Sequence, residues 1–188
     1  MMPKRIVITG GPGTGKTSII RLLEKKGFFC FHEVVRDFTT EAKQFTDSEN
    51  LHSNPLTFVD DPFRFNKHIL EARLSHFKAG DELLCDVAFY DRGLPDVLAY
   101  MNYFDQSYPD EFISYCREHR YDQLVMLPPW EDIYTRDDER LETFEQAIEI
   151  HEELRTMYKE LNYNSLEVPI GSIEERASFI IDHVIPAS

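Results

Sequence analysis

The stretch RIVITGGPGTGKTS, residues 5–18, decides the fold of this 188-residue chain. Its first five residues are largely β-branched and apolar and stop at glycines, which predicts a short strand buried on both faces. Residues 10–17 then fill the pattern G-x-x-x-x-G-K-[ST]. From Lys16 onward, apolar residues cluster on one side up to Gly27, which predicts a helix that ends at this glycine. Strand, glycine loop and helix in this order predict a phosphate-binding loop.

The loop combines the groups that hold a nucleotide's phosphates. Glycines let backbone N–H groups converge on phosphate oxygens, and the following helix N-terminus adds partial positive charge. Lys16 adds a full charge and is also a candidate catalytic residue. A glycine turn that merely joins a strand to a helix is the alternative. The predicted nucleotide contacts are Gly10, Gly11, Pro12, Gly13, Thr14, Gly15, Lys16, Thr17 and Ser18.

The rest of the chain alternates short apolar runs with amphipathic segments. The apolar runs predict strands at 28–31, 87–90, 123–127 and 166–168, and the helix-like segments lie at 62–79, 96–104, 110–119, 144–161 and 172–185. This alternation predicts an α/β fold, a three-layer P-loop sandwich with a mainly parallel five-stranded sheet. We expect a single nucleoside triphosphate-binding domain over residues 1–188, with its lid at about 130–143.

Composition narrows the partners and the compartment. The chain has 34 acidic and 20 basic residues and a formal net charge of −14. This charge disfavours nucleic acid and anionic membranes, and no apolar run approaches the length of a membrane span. The three cysteines are far apart, which predicts reduced thiols rather than disulfides or a zinc site. We therefore expect a cytoplasmic protein whose partner is a small-molecule acceptor, with no nucleic acid and no membrane; the oligomeric state is left open.

A carboxylate that could hold Mg²⁺ follows the third predicted strand. A P-loop site needs an acid at the end of a hydrophobic strand beside the first one. Asp91 directly follows the run VAFY, and Arg92 comes next, where it would meet phosphate or acceptor. Thr17 and Asp91 are accordingly the predicted metal ligands. An ordinary turn at the strand end is the alternative for Asp91.

Two residues after the second strand are candidates for the acceptor site. The C-terminal ends of strands in an open α/β sheet face the ligand crevice. Glu33 could accept the proton of an acceptor hydroxyl, and Arg36 could hold a phosphate or sugar group. The alternative is a surface helix pair with i, i+3 spacing.

The charged stretch after Pro129 predicts a lid that carries arginines. Arg136 and Arg140 are four residues apart, so a helix would project both guanidinium groups from one face. A guanidinium can follow charge as it spreads over phosphoryl oxygens during transfer. Alternatively, these arginines pair with acidic neighbours on a solvated helix.

Several classes of P-loop protein compete. A GTPase needs the guanine-reading N-K-x-D, but the only Asn-Lys pair, Asn66-Lys67, continues with His68-Ile69. A ring-forming machine normally adds a helical domain, for which 188 residues leave little room. A small-molecule kinase needs an acceptor base, a phosphate loop and a closing lid, and the chain has candidates for all three. An ATPase switch that acts on a protein partner and a noncatalytic binding module stay open.

The chain also resembles a family of small bacterial P-loop proteins, the AAA-domain ATPases or kinases of the NAD-metabolism type. The strings that carry the resemblance, almost end to end, are GGPGTGKTS (10–18), YDRGLPDVLAY (90–100), LPPWEDIYTRDDERLETFEQA (127–147) and VPIGSIEERASFI (168–180), together with the Glu33/Arg36 pair. Members look like deoxynucleoside, thymidylate and ribosylnicotinamide kinases. The resemblance implies a five-stranded parallel sheet, ATP with Mg²⁺ at Thr17 and Asp91, and lid roles for Arg136 and Arg140. Glu33 stands where related nucleoside kinases place a base, although in the context HEVVR rather than their E-P pattern.

Overall fold

The protein, seen in a computed structural model that describes residues 2–35, 61–134 and 142–185, is built on one parallel sheet. Within these residues five strands run in the order β2-β3-β1-β4-β5, and every neighbouring pair is parallel. The strands are β1 (Lys4–Thr9), β2 (Phe29–Phe31), β3 (Val87–Asp91), β4 (Gln123–Met126) and β5 (Ser165–Glu167). The predicted fold class is confirmed.

Helices cover both faces of this sheet. They are α1 (Lys16–Lys25), α2 (Pro62–Ala79), α3 (Leu94–Tyr103), α4 (Asp110–Glu118), α5 (Phe144–Glu160) and α6 (Ile173–Val184). Because successive strand residues point to opposite faces, β1 contributes Val7 to one core and Ile6 and Ile8 to the other. The Val7 core packs under α2 to α5, and the second core packs under α1 and α6. One core lies on each face of the sheet, so helices, sheet and helices form the three layers of the predicted sandwich.

Local signals explain most of the helix ends. Ser172 caps α6, because its Oγ accepts a hydrogen bond from the backbone N–H of Glu175. The helix predicted to begin at Asp96 instead begins at Leu94. Asp96 lies in the first turn of α3 and accepts from the backbone N–H of Gly93 at 2.9 Å. Asp96 therefore caps α3 with its side chain from within the first turn, and the helix begins two residues before it.

Two further features are the state of the cysteines and the character of the described helices. Cys30, Cys85 and Cys116 are free thiols, and Cys30 and Cys116 are buried. Among the described helices, none combines the length and the apolarity that crossing a membrane requires.

The five described strands are parallel, so their carboxyl ends lie on one side of the molecule. The chain leaves β1 and skips over β3 to reach β2, and from β3 it crosses β1 to reach β4. Such a reversal of direction opens a crevice at the carboxyl ends of the strands. The phosphate loop after β1 therefore lies beside Asp91 at the end of β3, whose register partner on β1 is Ile8. Glu33 follows β2 at the same edge.

Candidate functional site: phosphate loop and buried ion network

The phosphate loop between β1 and α1 is held in a shape that only glycine tolerates. Gly10 and Gly13 have φ angles of 146° and 72°, where other residues are strained. A Cβ on Gly10 would collide with the carbonyl oxygen of Leu127, and a Cβ on Gly13 would enter the ring of Tyr134. The predicted glycine loop is thus a closely packed turn as well as a junction.

Lys16, the first residue of α1, points into this turn. Its ammonium group donates to the carbonyl oxygens of Gly10 at 2.8 Å and Gly11 at 2.7 Å, and to Thr14 Oγ1 at 3.1 Å. Only 8% of Lys16 is exposed. Burial and then the charge of Arg92 lower its pKa to about 7, against nearby carboxylates that raise it. A phosphate anion beside the loop would favour the charged form of this lysine.

Asp91 lies at the carboxyl end of β3 and is 7% exposed. Burial and the charge of Glu33 raise the pKa of Asp91 to about 6, although Lys16 opposes the shift. Thr17 follows Lys16 in the first turn of α1. One carboxylate and one hydroxyl fit Mg²⁺, which takes few protein oxygens and completes its octahedral shell with phosphates and water.

Glu33 forms ion pairs with two arginines. Arg92 Nε lies 2.6 Å from one carboxylate oxygen, Oε2, and Arg73 Nη2 lies 2.9 Å from the other, Oε1. The Glu33 side chain is 14% exposed, so the surface-pair alternative fails for this residue. Burial alone would raise the pKa of Glu33, but Arg73 and Arg92 outweigh it and hold that pKa below its usual value. Glu33 is therefore a carboxylate at neutral pH and keeps acceptor capacity for a hydroxyl proton.

Arg92 joins Glu33 to a second buried acid. Its φ of 71° is unusual for a residue with a side chain, and its backbone N–H donates to the carbonyl of Ile8 at 3.0 Å. From this position the guanidinium reaches Asp96 at 3.2 Å and Tyr100 Oη at 3.1 Å. Arg92 thus bridges two carboxylates, and its predicted contact with substrate stays a prediction.

Asp96 on α3 is fully buried and satisfied by donors from four directions. Burial raises its pKa, but Arg92 and Arg73 outweigh this and lower it. The donors are Thr9 Oγ1 at 2.5 Å, Tyr158 Oη at 2.7 Å, the Gly93 backbone N–H at 2.9 Å and Arg92 Nη1 at 3.2 Å. Asp96 on α3 therefore connects β1, through Thr9, with α5, through Tyr158, by buried hydrogen bonds next to Arg92.

Sequence reasoning missed Arg73 and Asp96 as members of this network. Arg73 lies on α2, is 5% exposed, and also donates to the carbonyl of Gly93 at 3.0 Å. A signal was available, because Arg73 falls on the same helical face as the apolar residues Ile69, Leu70 and Phe77. A charged residue on the buried face of a helix needs a partner, and here the partner is Glu33.

Some predicted residues cannot be compared with the structure. Arg36, Arg136 and Arg140 lie outside the described residues, as do 135–141 of the predicted lid. At the start of the lid, Trp130 Nε1 donates to Asp132 at 3.1 Å, and Glu131–Ile133 form one 3₁₀ turn. The roles assigned to these three arginines therefore stay predictions.

Together, the glycine loop, the lysine at the head of α1 and the acid at the end of β3 define a P-loop nucleotide-binding protein. A family model described as an AAA domain matches residues 5–176, and the chain belongs to this family. The resemblance noted in the sequence is confirmed. No curated protein matches the chain in sequence.

Solved structures share the whole fold at low sequence identity. Deoxyadenosine kinase from M. mycoides, solved with dCMP and dCDP, is 17% identical with a TM-score of 0.64, covering 95% of this chain and 97% of that one. Thymidylate kinase from Ehrlichia chaffeensis is 14% identical with a TM-score of 0.60, covering 97% and 98%. NadR in complex with NAD and AMP-PNP is 15% identical with a TM-score of 0.67, covering 100% of this chain but 51% of NadR, so the chain spans about half of that protein. The chain has the fold of P-loop kinases.

Proposed function

We propose that this protein is a Mg-ATP-dependent phosphotransferase that acts on a small hydroxyl-bearing acceptor, such as a nucleoside or a ribosyl-cofactor precursor. One observation carries the proposal: two arginines fix an ionised carboxylate, Glu33, at the carboxyl ends of the strands, where the phosphate loop also lies. Phosphorylation of a hydroxyl needs a group that orients the hydroxyl and accepts its proton, whereas the chemistry of a switch or a simple binding module does not. The kinases with the same fold support this interpretation, since one is named for deoxyadenosine and another for thymidylate.

On the donor side, the loop amides and Lys16 would hold the β- and γ-phosphates. Lys16 would exchange its bonds to the carbonyls of Gly10 and Gly11 for bonds to phosphate oxygens. Thr17 and Asp91 would hold Mg²⁺, which when bound neutralises charge between the phosphates. The loop amides, Lys16 and the bound Mg²⁺ would place positive charge beside the phosphate oxygens, where negative charge develops during transfer.

On the acceptor side, Glu33 would receive the proton of the acceptor hydroxyl as its oxygen attacks the γ-phosphorus and the bond to the leaving ADP breaks. The lowered pKa keeps Glu33 ionised at neutral pH but makes it a weak base, so it would orient the hydroxyl and take the proton only as the oxygen bonds to phosphorus and the hydroxyl becomes strongly acidic. Arg73 and Arg92 fix both of its oxygens, so the hydroxyl meets a carboxylate of defined orientation. Arg36 would hold the acceptor, and Arg136 and Arg140 would close over the transferring group.

The decisive experiment measures ADP release from Mg-ATP with a panel of nucleosides and ribosylated cofactor precursors. Lys16→Ala serves as the blank, because it removes the cation of the loop. Stimulation by one acceptor, with a phosphorylated product found by mass spectrometry, would establish the kinase and name its substrate. Slow hydrolysis that ignores every acceptor would contradict the proposal and favour an ATPase switch that acts on a protein partner.

A further inference from the structure

Two carboxylates and two arginines near the phosphate loop form a closed ring of hydrogen bonds. Arg73 Nη2 lies 2.9 Å from Glu33 Oε1, and Arg92 Nε lies 2.6 Å from Glu33 Oε2. Arg92 Nη1 donates to Asp96 Oδ1 at 3.2 Å, and the backbone N–H of Gly93 donates to Asp96 Oδ2 at 2.9 Å. The carbonyl of Gly93 accepts from Arg73 Nη1 at 3.0 Å, which closes the ring. Because each member is held by two neighbours, the direction of the Glu33 carboxylate depends on the others.

The two oxygens of Asp96 face different parts of the protein. Oδ2 accepts from Tyr158 Oη on α5 at 2.7 Å, in addition to the N–H of Gly93. Oδ1 accepts from Thr9 Oγ1 on β1 at 2.5 Å, in addition to Arg92. Thr9 and Asp96 are fully buried, so these hydrogen bonds are shielded from solvent. Oδ1 is therefore the atom at which Thr9 and Arg92 share one acceptor.

Thr9 ties this ring to the phosphate loop. It is the last residue of β1 and directly precedes Gly10, where the loop begins. β1 pairs with β3 on one side and with β4 on the other, so the backbone of Thr9 has a fixed position. The hydrogen bonds from Thr9 through Asp96 and Arg92 to Glu33 therefore connect the phosphate loop with the acceptor carboxylate.

Arg92 can pass a displacement from Asp96 to Glu33 because its guanidinium is rigid. The group is planar and its donors form a fixed fork, so a movement of Nη1 also moves Nε. If Asp96 Oδ1 lost the Thr9 hydroxyl, Arg92 alone would compensate the charge on this oxygen. Arg92 Nη1 would then be drawn toward Asp96, and Nε would move relative to Glu33.

We propose that Thr9 is a positioning residue that aligns Glu33 with the phosphate loop through Asp96 and Arg92. The inference rests on the proposed function, in which Glu33 orients the acceptor hydroxyl. Transfer requires the reacting atoms to lie about 3–3.5 Å apart, and a displacement of about 1 Å can lower the rate about a hundredfold. Thr9 is buried and acts without touching either substrate, because it fixes the distance between the groups that hold them.

Thr9→Val tests this role, because it removes the hydroxyl and keeps the branched shape that suits a strand. With the acceptor that stimulates ADP release, kcat should fall about tenfold to hundredfold while the KM for ATP changes less than about twofold. Thr9→Ser keeps the hydroxyl and should recover most of kcat. The matched control is Tyr158→Phe, which removes a donor from the other oxygen of Asp96; it should lower the urea midpoint as Thr9→Val does but keep the wild-type kcat. Unchanged kcat in Thr9→Val, an equal loss in Tyr158→Phe, or no recovery in Thr9→Ser would overturn the inference.

A second measurement needs no acceptor. In proton–nitrogen correlation spectra the Arg92 Nε–H resonance reports its hydrogen bond to Glu33, since a shorter bond to a carboxylate moves the proton downfield; Arg92→Lys deletes the signal and so identifies it. Thr9→Val should move this resonance upfield, and Tyr158→Phe should leave it in place. An unmoved resonance in Thr9→Val would refute the inference. Should the valine variant not fold, Thr9→Ala removes the same hydroxyl and is measured in the same way. If no acceptor is phosphorylated the proposed function fails, and the resonance still decides whether Thr9 positions Glu33.

Discussion

Replacing Glu33 by glutamine tests the buried ion network directly. Glutamine has nearly the same shape but no charge, and it can offer its single oxygen to only one of the two arginines. Arg73 and Arg92 would then both remain buried beside an amide, with side chains 6% and 13% exposed. We expect the variant to fold and to be markedly less stable.

The magnitude follows from burial. Removing one partner of a buried ion pair costs about 3–5 kcal/mol, because the other charge is left uncompensated. Total stabilities are typically about 5–15 kcal/mol, so this is a large fraction. For a chain of this size the melting temperature should fall by roughly 6–20 °C. The lowered pKa of Glu33 sets the pH window: its stabilisation is fully present above the ordinary pKa of a glutamate and is lost as pH falls through the lower pKa of the folded state.

The assay is urea unfolding at neutral pH, followed by circular dichroism. The matched control is Glu71→Gln, which breaks the exposed pair between Glu71 and Lys67 on α2, where the nitrogen and oxygen are 3.9 Å apart and both side chains are more than half exposed. An exposed i, i+4 pair contributes only about 0.3–0.5 kcal/mol, so this control should be close to wild type. The double variant Glu33→Gln/Arg73→Met should be less destabilised than the sum of its single variants, since it also removes a stranded charge.

Two outcomes would refute the reasoning. If Glu33→Gln unfolds at the same urea concentration as Glu71→Gln, the two arginines do not depend on the carboxylate. If the double variant shows simple additivity, Glu33 and Arg73 are not coupled. In activity assays Glu33→Gln should lower kcat far more than it raises the KM for ATP, and unchanged turnover would remove Glu33 as the acceptor base.

Three further substitutions probe the phosphate loop, the proposed metal ligand Asp91 and the buried hydrogen bonds behind them. Tyr158→Phe should lower the free energy of unfolding by about 1.5–3 kcal/mol in urea titration, because its hydroxyl donates to a buried carboxylate at 2.7 Å; a wild-type midpoint would contradict this. The kcat/KM for Mg-ATP, which reports the free enzyme, should fall as pH drops through about 6, since protonation of Asp91 removes its negative charge, and Asp91→Asn should abolish that limb of the pH profile. Acid unfolding should not mimic that loss, because a raised pKa makes protonation of Asp91 favour the folded state. Gly10→Ala should abolish the thermal shift produced by ATP, because its Cβ collides with the carbonyl of Leu127, whereas Gly27→Ala, strained but with nothing within 4 Å, should retain it.

Local pattern was sufficient for much of the fold. The strand, glycine loop and helix of residues 5–27 could be predicted because each is decided by its own residues, and the helix predicted at 62–79 matches α2 at both ends. Asp91 could be predicted as well, since an acid at the end of an apolar strand stands out within five residues. These signals need no knowledge of which strands are neighbours.

The partners of Glu33 could not be predicted in the same way. β2 follows β1 in the chain, but in the sheet β3 lies between them, and this places Arg92 beside Glu33. Arg73 reaches the same carboxylate from a helix 40 residues further along. Such contacts depend on the order of the strands and on how the helices pack, and the periodicity of apolar residues along the sequence predicts neither. The sequence therefore indicated which residue could act on the acceptor but not what holds it in place.

The bonds of Lys16 bear on how tightly the loop can hold any ligand. Its ammonium group makes three internal hydrogen bonds, two of them to carbonyls of the loop itself. Phosphate binding is then an exchange, in which new bonds to the anion replace bonds that already organise the turn, so affinity reflects only their difference. The same lysine acts as a tether that keeps the loop in shape. Lys16→Ala removes both the charge and these hydrogen bonds, whereas raising the pH above about 7 removes the charge and leaves a neutral amine that can still donate two of the three bonds.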